Sequence, residues 1–310
     1  MLWIVRIIGV VLLADLLAIV TRALTPTPTP EPSWWQPSPG TTWQWQLNGE
    51  VNTRYDVQMY DIDLFDTPQE TIDKLHEDGR VVICYFSAGT YEDWRPDVDD
   101  FPEAILGKPL EDWPGERYLN IRQLDLIKPI MEARLDLAVE KGCEGVEPDN
   151  VDAYTNDTGF DLTPEDQLAY NRWLAQAAHE RGLSIGLKND GDQVEQLVDD
   201  FDWALVEECF QFGFCDQFLP FIEQGKAVFG VEYIEGGLER ADYCPQANAM
   251  GYSWLTKTLD LGDPKSKEGQ GQEAPGESPE DPQNANIGAL SVSKGPLRAP
   301  RRSNEFRATY

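Results

Sequence analysis

The chain has 310 residues, with 55 acids against 25 Lys and Arg and a formal net charge of −30 at pH 7. A field of that sign repels the phosphates of nucleic acid and of anionic lipid, and it concentrates cationic ligands. With two histidines in the whole chain, His-based triads and His-rich metal sites are nearly excluded. Neither metal nor cofactor is expected, and chemistry must rest on carboxylates.

Residues 2–20 are apolar apart from Arg6 and Asp15. A leading arginine before an apolar run suits a secretory signal peptide. The same stretch suits a single-pass membrane anchor if Asp15 is tolerated, at about 2.5–3.5 kcal/mol near a helix centre. Residues 1–22 are read as one or the other, and both place the rest of the chain outside the cytoplasm, secreted or held at the cell surface. Residues 23–40 read as a linker, stiffened over 25–32 by the run TPTPTPEP, which favours an extended polyproline conformation. Residues 41–262 read as one globular domain, expected to be monomeric. Residues 263–310, rich in Gly, Pro, Ser, Gln and Asn, have the composition of a disordered tail. Both ends are balanced in charge, so the −30 belongs to the central domain.

Within that domain short apolar runs alternate with amphipathic stretches, the pattern of an α/β fold with parallel strands. Strands are predicted at 43–47, 57–62, 81–86, 145–147, 184–187, 203–207, 227–231 and 251–254. Helices are predicted near 68–78, 122–141, 164–181, 191–200, 215–224 and 238–248. The third is the clearest: Thr163 caps it, Pro164 and two acids open it, and Gly182 closes it. Eight strands without a glycine-rich dinucleotide loop favour a closed (β/α)8 TIM-type barrel over a doubly wound sheet. The first connection, 48–56, is too short for a helix. His76 and His179 fall at helix ends among charged residues and are expected to be solvated.

Reacting groups of such barrels sit at the C-terminal ends of the strands. There the second strand runs into Asp61 and Asp63, and the third into a segment with Trp94 and Arg95. The fourth gives Glu147, Asp149, Asn150 and Asp152; the fifth Lys188, Asn189 and Asp190; the sixth Glu207 and Glu208; the seventh Glu232 and Tyr233. Convergence of acids, amides and aromatics on one rim suits sugar, whose ring faces stack on aromatics and whose hydroxyls pair with carboxylates and amides. Glycoside hydrolysis needs two carboxyl groups flanking one bond. The Glu147/Asp149/Asp152 cluster and the Glu207/Glu208 pair offer them, with Lys188 between them in strand order to hold one ionised. Of the ten tryptophans, most are expected in packing. Among the five cysteines, a disulfide is expected within the trio Cys209, Cys215 and Cys244; Cys84 reads as a buried thiol and Cys143 is open.

The rim segments closely resemble glycoside hydrolase family 114, the endo-α-1,4-polygalactosaminidase group. The matching stretches are WQWQL (43–47), VQMYDIDLF (57–65), VICYFSAGTY (82–91) with Trp94-Arg95-Pro96, GVEPDNVDAY (145–154), LKND (187–190), VEECF (206–210), GVEY (230–233) and YCPQANAM (243–250). They cover almost the whole globular part, in family order. The resemblance implies an endo-acting, retaining hydrolase of α-1,4-linked galactosamine polymers, with Asp149 as general acid/base and Glu207 as nucleophile. It implies that Asp61, Glu147, Asp152, Lys188, Asn189, Glu232 and Tyr233 line the sugar subsites. Protonated galactosamine is a cation, so the expected partner, an amino-sugar polysaccharide, complements the acidic domain. The rivals are a surface-tethered carbohydrate-binding barrel without catalysis, and a hydrolase of another α-linked glycan.

Overall fold

In the computed structural model, which describes residues 33–263, each of the eight predicted apolar runs overlaps a strand. In chain order the strands are β1 (Trp43–Gln46), β2 (Met59–Asp63), β3 (Val81–Ser87), β4 (Thr90–Glu92), β5 (Leu106–Pro109), β6 (Glu116–Leu119), β7 (Gly145–Asp149), β8 (Ser184–Lys188), β9 (Trp203–Glu207), β10 (Val228–Tyr233) and β11 (Ser253–Lys257). The helices are α1 (Gln69–Glu77), α2 (Leu124–Lys141), α3 (Pro164–His179), α4 (Val194–Leu197), α5 (Cys209–Phe212), α6 (Leu219–Glu223) and α7 (Arg240–Met250). Strands β1, β2, β3, β7, β8, β9, β10 and β11 pair in that order, each with its neighbour in parallel. Parallel strands in chain order with intervening helices make the chain a TIM-type α/β barrel.

The seam between β11 and β1 is closed by side chains and a loop. Trp43 Nε1 donates to the Ser253 carbonyl at 3.1 Å, Lys257 Nζ to Gln44 Oε1 at 2.8 Å, and the Leu47 amide to the Leu261 carbonyl. Inward-facing residues fill the barrel: Trp43, Trp45, Ile83, Trp203, Leu205, Phe229 and Val231 form one buried cluster. Room for the Trp203 indole depends on Gly186, where a Cβ would stand 2.3 Å from Trp203 Cζ3. An outer cluster packs the helices onto the strands through Ile72, Leu75, Met131, Leu135, Tyr170 and Leu174. Thr163 caps α3 as its sequence predicts, in a reciprocal pair with Asp166.

Several expectations change. Cys84 is not a thiol: it is bonded to Cys143. The β3–β7 register sets Cys84 beside Val146, so Cys143, two residues before β7, comes within reach, a tertiary relation that a separation of 59 residues conceals. Cys209 pairs with Cys215, and Cys244 is free. Within the stretch read as linker, Trp34 and Gln36 make long-range hydrogen bonds. Trp34 Nε1 and Gln36 Nε2 both donate to Asp202 Oδ1, at 2.8 and 2.9 Å. His179 is held in that same knot, its ring stacked on Trp34 at 4.0 Å and its Nε2 2.9 Å from Asp202 Oδ2. The antiparallel sheet β4-β6-β5 had no counterpart in the sequence reading. It is inserted between β3 and α2 and clamped by buried arginines. Arg95 meets Asp63 at 2.8 Å and Glu92 at 2.9 Å, and Arg134 meets Asp97 at 2.8 Å and donates to the Ser87 carbonyl.

Among the described residues no helix is long and apolar enough to cross a membrane. The stretch read as signal or anchor and the tail beyond Asp263 lie outside the described residues.

Candidate active site

Three barrel strands deliver one charged cluster at their C-terminal ends. Because side chains alternate in and out along a strand, Glu147 and Asp149 on β7, Lys188 on β8 and Glu207 on β9 all point inward. The Lys188 ammonium, 2% exposed, stands 2.8 Å from Glu147 Oε1, 3.2 Å from Asp149 Oδ1 and 3.4 Å from Glu207 Oε2. It also lies over the Trp45 ring, 4.8 Å from its centroid. Of the three carboxylates on this ammonium, Glu147 is fully buried, whereas the side chains of Asp149 and Glu207 keep 21% and 24% of their surface open. Those two are therefore the ones a ligand can touch.

Each open carboxylate has its own cradle. Asp149 Oδ2 accepts from Tyr85 OH at 3.0 Å, and Oδ1 accepts from the Asn150 amide at 2.8 Å. Asn150 sits at φ 60°, and its Nδ2 donates to Ser87 Oγ at 3.0 Å. Ser87 is hydrogen-bonded to Thr90, whose Oγ1 donates to the buried Glu116 at 2.9 Å. The Asp149 turn is thus braced from the inserted sheet. Glu207 Oε2 accepts from Asn189 Nδ2 at 3.1 Å, while Asn189 Oδ1 accepts from the Glu207 amide. Glu207 Oε1 accepts from Tyr233 OH. Asn150, Asn189, Asp190 and Glu208 all have left-handed backbone directly after β7, β8 and β9. Non-glycine residues hold that conformation at a cost of order 1–3 kcal/mol, a strain that clusters at functional sites.

Behind these groups lies a second acid pair. Asp61 on β2 is fully buried, and its carboxyl is raised well above the usual range by burial, then by the charge and hydrogen bonding of Glu147. A shift in that direction favours the neutral carboxyl of Asp61 over its anion beside Glu147. Burial pushes Glu147 to about 7 against the pull of Lys188, and Trp45 Nε1 donates to its other oxygen at 3.0 Å. Asp152, at the mouth, is raised to about 7 by desolvation and the neighbouring Asp149 charge.

Of the residues predicted for the site, the structure gathers Asp61, Glu147, Asp149, Lys188, Asn189, Glu207 and Tyr233 in one network, with Asp152 beside it. Glu232 stands apart. It precedes Tyr233 on β10, so its side chain points outward, where Oε1 accepts from the Phe210 amide at 2.9 Å. Tyr85 and Trp45 were not predicted. The parity of β3 would have found Tyr85, since it faces the same way as Ile83 and lies opposite Glu147 in the β3–β7 register. Trp45 shares its face with Trp43, two residues away. Among the described residues no group of His, Cys, Asp and Glu is arranged to hold a metal ion.

The raised carboxyls fix a sign for stability against pH. A carboxyl whose folded pKa exceeds its unfolded value stabilises fully below the unfolded value and loses that contribution as pH rises through the folded one. Glu116, Glu147, Asp152 and Glu232 at about 7 and Asp190 at about 9, all raised first by burial, share that sign. Asp202 has the opposite one. Burial would raise it, but hydrogen bonds from His179, Trp34 and Gln36 overcome that and hold it low, so its contribution is lost only in strong acid. Calorimetry is expected to give the highest Tm near about pH 4, close to the unfolded carboxyl values, and a fall from there through pH 7. A Tm that rises steadily from pH 5 to 8 would contradict these assignments.

Comparison with known proteins identifies the family. The profile of Glycoside-hydrolase family GH114 matches residues 24–273. The crystal structure of Aspergillus fumigatus Ega3 in complex with galactosamine is 45% identical, covers 74% of this chain and 95% of that one, and superposes with a TM-score of 0.70. The glycoside hydrolase domain of Pseudomonas aeruginosa PelA shares the fold at 13% identity, covering 71% of this chain and 94% of that one, with a TM-score of 0.54. No curated protein sequence matches. The family profile spans most of the chain, and the protein belongs to glycoside hydrolase family GH114.

Proposed function

We propose that the protein is an endo-acting hydrolase of α-1,4-linked galactosamine polymers, working with retention through Asp149 and Glu207. The observation that carries this reading is the single buried ammonium of Lys188 joining two carboxylates that alone among its partners remain open to a ligand. The two contacted oxygens can be no farther apart than 3.2 and 3.4 Å laid end to end. That limit accommodates the separation of about 5–5.5 Å used in retaining pairs and meets only the lower edge of the inverting range, about 6.5–9.5 Å.

In this mechanism a Glu207 oxygen attacks the anomeric carbon as Asp149 gives its proton to the leaving glycosidic oxygen. Asp149 then takes a proton from water, whose oxygen displaces Glu207. Lys188 limits repulsion between the two acids through both steps. Asn189 and Tyr233 fix the direction of Glu207, and Tyr85 fixes that of Asp149. Asp152, Asn189 and Tyr233 meet the sugar, while Asp61 and Glu147 set the field beneath it.

The substrate reading is supported by the relative crystallised with galactosamine and by the net charge of −30, which favours a cationic polymer. An extracytoplasmic site of action, secreted or surface-held, fits the two disulfides, which persist in oxidising compartments. The test is incubation with partly deacetylated α-1,4-galactosamine polymer, following chain length and new reducing ends. Rapid shortening is expected, with the α-anomer released first and KM rising with salt. Polymer retained on the protein with no new ends would replace this reading with a carbohydrate-binding barrel.

A further inference from the structure

The inserted sheet carries a feature that the catalytic network leaves unused. The tripeptide Glu-Asp-Trp occurs twice, at 92–94 and at 111–113, and the fold brings the two copies to one end of the β4–β6 ladder. The Asp93 amide donates to the Gly115 carbonyl, and the Glu116 amide donates to the Trp113 carbonyl. Trp94 lies along Gly115: a Cβ there would stand 2.9 Å from Trp94 Cζ3 and 2.7 Å from Asp93 Oδ1. In a protein that buries Trp43, Trp45 and Trp203 almost completely, both indoles are left 49% exposed. Asp93, Glu111 and Asp112 beside them are exposed too. The sheet's own cations are engaged elsewhere, Lys108 with Asp157 and Arg117 with Glu103, so the charge of these acids is left open.

We propose that the Trp94/Trp113 face is an accessory subsite that holds a cationic amino-sugar stretch of the polymer away from the bond being cut. This rests on the polymer reading above. Indole faces cover the apolar side of a pyranose, and a nearby ammonium is attracted both by the rings and by Asp93, Glu111 and Asp112. An apolar protein partner would not explain three uncompensated acids around the two rings; a protonated amino sugar needs both features at once. The position is suitable as well. The sheet leaves β3 directly beside the Asp149 turn, where Gly89 packs so closely on Asn150 that a Cβ would meet its carbonyl oxygen. Glu116 is close enough to Asp149 for that charge to help raise its carboxyl. Trp113 is joined to Glu116 across a tight turn by the Glu116 amide, which keeps their Cα atoms within about 7 Å, so a chain leaving the cleft reaches the indoles within a few sugar units.

The experiment compares the full protein with the double variant Trp94→Ala/Trp113→Ala on two probes, the long α-1,4-galactosamine polymer and its trimer. The polymer KM is expected to rise about tenfold, with polymer preference over trimer falling in proportion. A second variant, Asp93→Asn/Asp112→Asn, is expected to reduce the salt dependence of the polymer KM without removing the rings. An unchanged polymer KM overturns the proposal. So does an equal rise for polymer and trimer, which would assign the indoles to the cleft or to the fold. Failure of the substrate reading itself looks different: the unaltered protein would then leave both probes uncut.

Discussion

Glu207→Gln is expected to abolish turnover of both the polymer and an activated aryl galactosaminide, by on the order of 10³-fold or more. Asp149→Asn is expected to lose about 10²–10⁴-fold on the polymer while still reacting with the activated glycoside. The difference follows from the roles. An aryl leaving group departs without a proton, so the first step no longer needs Asp149, but no leaving group substitutes for the Glu207 oxygen. In Asp149→Asn the covalent intermediate should accumulate, because nothing deprotonates the incoming water. Added azide, which needs no deprotonation, should release it as the α-glycosyl azide, matching the substrate's own anomeric configuration, the mark of two successive displacements. If Glu207→Gln keeps activity on the aryl glycoside while Asp149→Asn loses it, the two roles are exchanged. If both variants cut the polymer normally, the carboxylate pair is not the catalytic pair.

The rim was legible in the sequence because its residues are polar at places where strands otherwise run apolar. Asp149, Lys188 and Glu207 each end a run of buried residues, and a period of two puts them on the barrel interior. Glu232 shows where that reading loses precision. It is adjacent to Tyr233 at a strand end, and without the exact register its side could not be assigned; the fold turns it onto the Phe210 amide. Tyr85 was hidden for the opposite reason, since an aromatic inside VVICYFS reads as core until the β7 register sets it beside Glu147. The inserted sheet escaped because TYE, LGKP and ERYL have neither alternation nor length. Its stability comes from Arg95 and Arg134 bridging segments distant in sequence. Local pattern gives the barrel; long-range ion pairs and the Cys84–Cys143 bond have no local pattern.

Lys188→Met should be the most damaging single change behind the two catalytic positions. Methionine keeps the length of the chain and its contact with Trp45 but removes the one cation shared by Glu147, Asp149 and Glu207. Taking one partner from a buried ion cluster costs about 3–5 kcal/mol, because the remaining charges are left uncompensated. The protein can relieve that cost by taking up protons, so Tm of the variant should climb more steeply than that of the unaltered protein as pH falls from 8 to 5. Activity at neutral pH should drop by at least about 10²-fold, since the carboxylate that binds the extra proton cannot serve as an anion. Acid should restore the fold and not the turnover. This separates an electrostatic role from simple packing: a cavity defect would lower Tm equally at every pH. A Lys188→Met protein with unchanged Tm and kcat at pH 7 would show that the ammonium does not hold these acids together.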